Sequence, residues 1–307
     1  MPRPSTFSIV ARDPDQNAVG VAVQSKFPSV GAVVPFAAAD AGAVATQSFA
    51  NVAYGPDGLE RLRAGDDAQS VIDALTAADD DAPSRQVGIV GQDGTVAAFT
   101  GEECHDVAGD RQGKTYTVQG NILANDATLD AMATAYEETD EGLPERLLAA
   151  LHAGNEAGGD KRGEQSAAMY VVKPEGGYDG KNDRWIDVRV DDHESPIEEL
   201  ERVFRIYDVT LLERKEPADL QTLEGPDAEE VCAALADLGL YEGPLADSFG
   251  DRERAALEEF RGLNNFENHD LELLEDALAH GWQAADGTGQ ERLVGAIWHG
   301  LSRLDRK

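Results

Sequence analysis

The chain has 307 residues, 41% of them hydrophobic, and its 59 acidic against 26 basic side chains give a formal net charge of −33. That length fits about two domains. Nothing in so acidic a chain neutralises phosphate, so nucleic acid and anionic membrane surfaces are excluded as expected partners.

The acidic residues run through the whole chain instead of gathering in one tail, so they do not read as a disordered segment. Self-repulsion at this charge is relieved in molar salt, where the Debye length falls to about 3 Å, and a halophilic source is expected. No apolar run approaches a membrane span, and the opening Met1-Pro2-Arg3-Pro4-Ser5 lacks the apolar core of a secretory signal, which implies a cytoplasmic protein. Cys104 and Cys232 stand far apart without CxxC spacing or clustered histidines, so reduced structural thiols are expected, with no metal and no cofactor.

Residues 6–11 (TFSIVA) and 18–25 (AVGVAVQS) are apolar, β-branched runs flanking the turn cluster Asp13-Pro14-Asp15-Gln16-Asn17, the pattern of a strand hairpin. A second strand pair is expected at 31–38 and 42–49, with Pro35 confined to an edge or a bulge because it cannot donate to a ladder. Helices follow near 56–64 and 67–78, with Gly65 as the stop between them. Strands resume at 86–91 and 95–99 around Gln92-Asp93-Gly94, a hairpin signal. A weak strand over 106–109 and another over 115–120 precede helices at 126–139 and 143–154. Leu129, Met132 and Tyr136 share one face of the first, and Leu147, Leu148 and Leu151 one face of the second. Strands at 167–173 and 185–190 and a helix from Pro196 through Tyr207 complete this part.

In this order each of two sheets can receive a helical layer on its outer face, so the expected class is α+β, a four-layer αββα sandwich over 6–212. Residues 1–5 form an N-terminal extension and 213–225 a charged linker. Residues 226–307 read as a small all-α bundle. There, Leu238-Gly239-Leu240-Tyr241, Asp247-Ser248-Phe249-Gly250 and Phe260-Arg261 with Asn264 resemble the peptidoglycan-binding-like pattern, with Arg261 replacing its usual Gln.

A second resemblance rests on Thr6-Phe7-Ser8-Ile9-Val10-Ala11-Arg12-Asp13, Gly20 through Lys26, Ala45-Thr46-Gln47-Ser48, Tyr54-Gly55-Pro56, Gln119-Gly120-Asn121, Gly158 through Ala168 and Arg189 through His193. In this order they resemble the Ntn-hydrolase-like domain of unknown function family 1028, over essentially all of 6–208. The resemblance implies the fold and a superfamily of amide-bond hydrolases, without a substrate; fold alone does not establish function.

In an Ntn hydrolase the nucleophilic Thr, Ser or Cys is the first residue, and its own α-amine, with a pKa of about 8, takes the proton. Thr6 opens the first strand, where that nucleophile belongs, but five residues precede it, so the catalytic reading needs a cut between Ser5 and Thr6 or a later start. The fold implied by the resemblance brings Asn121, Asp160, Arg162, Gln165 and Ser166 near Thr6, with Gln119 at the end of the same strand as Asn121. Thr6, Lys26 and Asp160 are the expected catalytic set: attack, pKa tuning and base orientation. Gln47, Ser48, Gln119, Asn121, Arg162, Gln165 and Ser166 are expected to bind substrate, with Asn121 or Gln47 near an oxyanion.

Asp191-Asp192-His193 stands where a helix should be capped before Pro196, and a capping role is expected. No G-x-x-x-x-G-K-[ST] accompanies the glycines, so nucleotide binding is not expected. The expected function is hydrolysis of a small amide. A catalytically silent ligand-binding protein with a C-terminal interaction module is the alternative, and homo-oligomerisation is left open.

Overall fold

The computed structural model describes residues 6–105 and 107–307, so the expected extension 1–5 and the first residue of the weak 106–109 strand lie outside the described residues. Period-two alternation fixes the first unit. In β1 (Thr6–Asp13) Phe7 and Ile9 point to one side and Thr6, Ser8 and Val10 to the other, and all five are buried. A strand buried on both faces has to be covered on both.

Beside β1 lie β2 (Ala18–Ser25) and β8 (Tyr116–Asn121), and the six-stranded antiparallel sheet has the order β10-β9-β2-β1-β8-β7, with β7 at Gly109–Gln112, β9 at Ser166–Val172 and β10 at Arg184–Val190. The second sheet has four antiparallel strands in the order β3-β4-β5-β6, namely Pro35–Ala38, Gly42–Ser48, Arg85–Gly91 and Val96–Thr100. Pro35 opens edge strand β3, where no ladder donor is missed. The strand expected over 31–38 is shorter because Val30–Ala32 winds into a 3-10 turn. The weak strand expected at 106–109 begins at its far end and runs on to Gln112.

Helices α1 (Tyr54–Ala64) and α2 (Ala68–Ala77) cover the four-stranded sheet through Tyr54, Leu59, Val71, Ile72 and Leu75 against Val44, Val87 and Ile89. Gly65 ends α1 at φ 98°, in the left-handed region that suits glycine, and the Asp67 carboxylate caps α2 by accepting the Ser70 N–H at 2.8 Å. Helices α3 (Ala127–Glu138) and α4 (Leu143–Glu156) lie on the six-stranded sheet. The two sheets pack face to face over Val10, Val19, Val21, Val23, Ala43, Ala45 and Val90.

The chain divides into two compact units within α5 (Pro196–Leu211), the first ending at Glu201 and the second running Arg202–Lys307. This division falls ahead of the charged stretch expected to act as a linker. The physical reason is that Val209 belongs to the helical core and Asp208 pairs there with Arg214 and Arg306. Helices α6 (Gly225–Asp237), α7 (Asp251–Leu263), α8 (Leu271–Gly281) and α9 (Gly289–Ser302) surround that core, in which Leu235, Leu257, Phe260, Trp282 and Ile297 are buried. Among the described residues no helix is long and apolar enough to cross a membrane.

His269 is 1% exposed, and its Nε2 lies 2.9 Å from the Val209 carbonyl, which only accepts, so Nε2 carries the proton of the neutral ring. Burial pushes its pKa down to about 4 from 6.5. An unfolded chain therefore binds this proton first, and the helical unit loses about 3 kcal/mol as pH falls from 6.5 towards 4. Urea titrations across that window should show the loss, and His269→Gln should flatten it; an equal acid slope in both proteins would show that His269 is not the group responsible.

Candidate functional site

The antiparallel register places four polar residues in one row across the six-stranded sheet. Ser166 pairs with Ser25, Ser25 with Thr6, and Thr6 with Asn121, so all four side chains stand on the face turned to the other sheet. One row further in, Ser8 pairs with Gln119. On the facing sheet Gln47 pairs with Gln86 and Gln86 with Thr100. The layer between the sheets is thus apolar at one end and polar at the end where β1 begins.

Hydrogen bonds join the two rows. Gln119 Nε2 donates to Ser8 Oγ at 2.6 Å, and Ser8 Oγ donates to Gln47 Oε1 at 2.7 Å. Gln47 Nε2 and Asn121 Nδ2 both donate to Gln86 Oε1, at 2.9 and 3.0 Å. Gln86 Nε2 in turn reaches Thr100 Oγ1 at 2.9 Å and the Gly120 carbonyl at 2.8 Å. Gly88 leaves room for this: a Cβ there would lie 2.2 Å from Gln119 Oε1. Apolar side chains would fill such a layer at less desolvation cost, so a network of this kind calls for a reason other than stability. Backbone strain marks the same end. Ser48 and Ile122, directly after Gln47 and Asn121, have φ of 69° and 51°, a conformation costly for non-glycine residues and above all for a β-branched one.

A cavity of about 410 Å³ opens on this end, lined by Thr6, Ser25, Gln47 and Ser48 together with Phe27, Val30, Val33, Val34, Phe49, Ala50 and Arg85. The hydroxyls of Thr6 and Ser25 are 3.1 Å apart. Arg85 is held by Asp79 at 3.0 Å and Asp81 at 3.3 Å, and it also donates to the Phe49 carbonyl. Arg85, followed by burial, which opposes it, and by hydrogen bonds from Asn51 and Tyr54, sets the Asp79 carboxyl, and the net effect holds it well below the usual carboxylate range. The Tyr54 phenol is pushed upward by burial and by Asp79. This cluster anchors the 49–54 loop at the rim. Cys104 donates to the Arg85 carbonyl at 3.3 Å, and burial raises its thiol pKa, the opposite of what an activated thiolate needs.

Of the residues expected from sequence, Thr6, Gln47, Ser48, Gln119, Asn121 and Ser166 share this polar end. Ser166 Oγ donates to the Phe27 carbonyl and accepts the Val30 N–H at 3.1 Å, so it holds two parts of the cavity wall. Lys26 departs from the expected tuning geometry: its exposed ammonium donates to the Glu164 carbonyl at 2.8 Å and does not line the cavity. Asp160 accepts the Lys26 N–H at 2.9 Å and the Arg162 N–H at 2.8 Å, and it pairs with the Arg162 guanidinium at 3.1 Å. Asp160 and Arg162 therefore fix the loop beyond β2. Gln165 donates to Asp192 at 3.0 Å, and its carbonyl accepts the His193 N–H, tying down the 191–193 segment.

Sequence reasoning missed Ser25, Gln86, Phe49 and Arg85. One signal was present for Ser25: the dipeptide Gln-Ser closes an apolar strand at 24–25 and at 47–48 and opens one at 165–166, while its fourth occurrence, at 69–70, lies within α2. Gln86 opens QVGIVG, a polar residue beginning an otherwise apolar run.

A two-sheet α+β domain with a small-molecule-sized cavity at the start of its first strand is the class that fold and site define. Residues 6–200 match the model of the family of unknown function DUF1028, and the chain belongs to that family. Residues 210–298 match the model of a peptidoglycan-binding-like domain. The crystal structure of a DUF1028 protein from Silicibacter pomeroyi is similar to this chain, with 32% sequence identity and a TM-score of 0.61, covering 66% of this chain and 89% of that one. No curated protein matches the chain.

Proposed function

We propose that the first unit is a hydrolase of small amides of the Ntn type, with Thr6 as its nucleophile. The observation that carries this reading is the Thr6 hydroxyl, held 3.1 Å from Ser25 Oγ at the polar end of a cavity of about 410 Å³. With Thr6 at the head of the chain, its α-amine takes the hydroxyl proton as Oγ1 attacks the amide carbonyl. The C–N bond then breaks, the amine leaves with that proton, and an acyl ester remains on Thr6. Water cleaves the ester, releasing the acid and returning a proton to Oγ1. Ser25 orients the hydroxyl, while Lys26, Asp160 and Arg162 act at a distance by holding the end of β2 that presents Ser25.

Intact mass of the purified protein would report whether the chain begins at Thr6. A form made to start there should hydrolyse members of an amide panel, and Thr6→Ala should lower kcat/KM at least about 10³-fold with an unchanged melting curve. Unchanged turnover in Thr6→Ala would remove Thr6 as the nucleophile.

One observation favours a second reading, a silent binding protein of the same fold. The polar groups expected to tune Thr6 are engaged elsewhere, Lys26 by Glu164 and Asp160 by Arg162. An intact Pro2 end, together with a trimmed form that binds the panel without turnover, would select it. The helical unit's family points to a carbohydrate polymer as its ligand in either reading, and cosedimentation with peptidoglycan would test that.

A further inference from the structure

We infer that the Thr6 cavity takes the uncharged, apolar acyl portion of its amide substrate and excludes an anionic one. This rests on the reading of Thr6 as the nucleophile, whose attack fixes the carbonyl at the polar end. Beyond that end the wall is Phe27, Val30, Val33, Val34, Phe49 and Ala50, with hydrocarbon in every position. Its volume of about 410 Å³ lies toward the small end of ligand pockets, about 300–1,000 Å³, which suits a short aliphatic or single-ring acyl group.

Charge supports the same choice. Arg85 is the cation in the lining, and its guanidinium is bound by two carboxylates, Asp79 and Asp81. An incoming carboxylate would have to displace them, and it would do so against a chain of net charge −33. Of the apolar lining, Phe27 reaches the surface, at 37% exposed.

The wall is built before any ligand arrives. Ser166 fixes Phe27 and Val30 from below, and the Thr46 N–H donates to the Val34 carbonyl at 3.2 Å, which ties that residue to β4. A preformed apolar wall converts buried area into affinity without an ordering cost. Each methylene added to the acyl chain should then tighten binding about fourfold until the cavity is full.

The experiment measures binding of acetanilide, butyranilide, hexananilide and the anionic N-succinylaniline to the full chain in molar KCl, with hydrolysis followed in parallel on the form starting at Thr6. Affinity should rise from acetanilide to hexananilide, and N-succinylaniline should bind at least about tenfold more weakly than butyranilide. Phe27→Ala, at an exposed site that does not threaten folding, should weaken hexananilide several-fold and acetanilide by less, so that the gain from acetanilide to hexananilide shrinks. Ala50→Phe should narrow the cavity and exclude hexananilide first. Equal affinity along the series, N-succinylaniline binding as tightly as butyranilide, or no anilide binding at all would overturn the inference. Length-dependent binding without hydrolysis would keep the cavity's apolar preference and remove the catalytic reading; hydrolysis indifferent to chain length would keep the catalytic reading and remove the preference.

Discussion

Replacing Asp208 by alanine should destabilise the helical unit by about 3–5 kcal/mol, because it strands buried cations. The Asp208 carboxylate is fully buried, with Arg214 Nη2 at 2.5 Å, Arg306 Nη2 at 2.8 Å and the Trp298 indole N–H at 3.0 Å. Burial alone would raise its pKa; the two guanidiniums outweigh that and hold the carboxyl below its usual range. The pair therefore adds stability at neutral pH that is lost as pH falls below the carboxylate range, in the same direction as the His269 effect but further down the scale. Urea unfolding followed by hydrogen exchange on α6–α9 would measure the change. A midpoint equivalent to within 1 kcal/mol of the parent would mean that water reaches the cluster and screens it. Asp208→Asn should fall between the two, since it keeps an acceptor but not the charge.

Gln86→Leu should have the second large effect, this time on the first unit. The glutamine is buried at the centre of the polar layer, accepting from Gln47 and Asn121 and donating to Thr100 and to the carbonyls of Gly109 and Gly120. A leucine of similar size keeps the packing and removes all five bonds. At about 1–3 kcal/mol for a buried group that loses its partner, partly offset by relaxation, the cost should be on the order of 3–5 kcal/mol. Thr100→Val, which removes one of the bonds, should cost about 1 kcal/mol. Equal chemical-denaturation midpoints for Gln86→Leu and Thr100→Val would show that Gln86 is no hub. The same substitution should also weaken ligand binding, because Gln47, which lines the cavity, would lose one of the bonds that fix its amide.

The strands were legible because burial on both faces demands short β-branched runs, and turn clusters such as 13–17 and 92–94 punctuate them. The order of strands and helices was enough to read two sheets, each with its helices. The direction of long polar side chains was not legible. Lys26 follows the end of a strand facing the site, yet its four-carbon stem carries the ammonium to Glu164, a choice decided by the fold of the 160–166 loop and not by its neighbours in sequence. The linker was read from its charge, but Arg214 within it is drawn into the helical core by Asp208, a partner whose burial sequence alone does not reveal. Ser25 and Gln86 were passed over because a single serine or glutamine at a strand end has an ordinary role as a solvated terminus; only the register that aligns them with Thr6 and Gln47 makes them a network.

The two polar rows also bear on how the chain finds its fold. A slip of β1 by one residue against β2 and β8 would turn Thr6 and Ser8 into the greasy layer beneath α4 and bring Phe7 and Ile9 opposite Gln47. Every misaligned pairing would then bury hydroxyls without partners and leave amides facing hydrocarbon. A uniformly valine-rich interface would tolerate neighbouring alignments at little penalty. The glutamines and serines thus act as a key cut into one end of the sandwich, rejecting wrong strand alignments during folding as well as lining the cavity once folding is done.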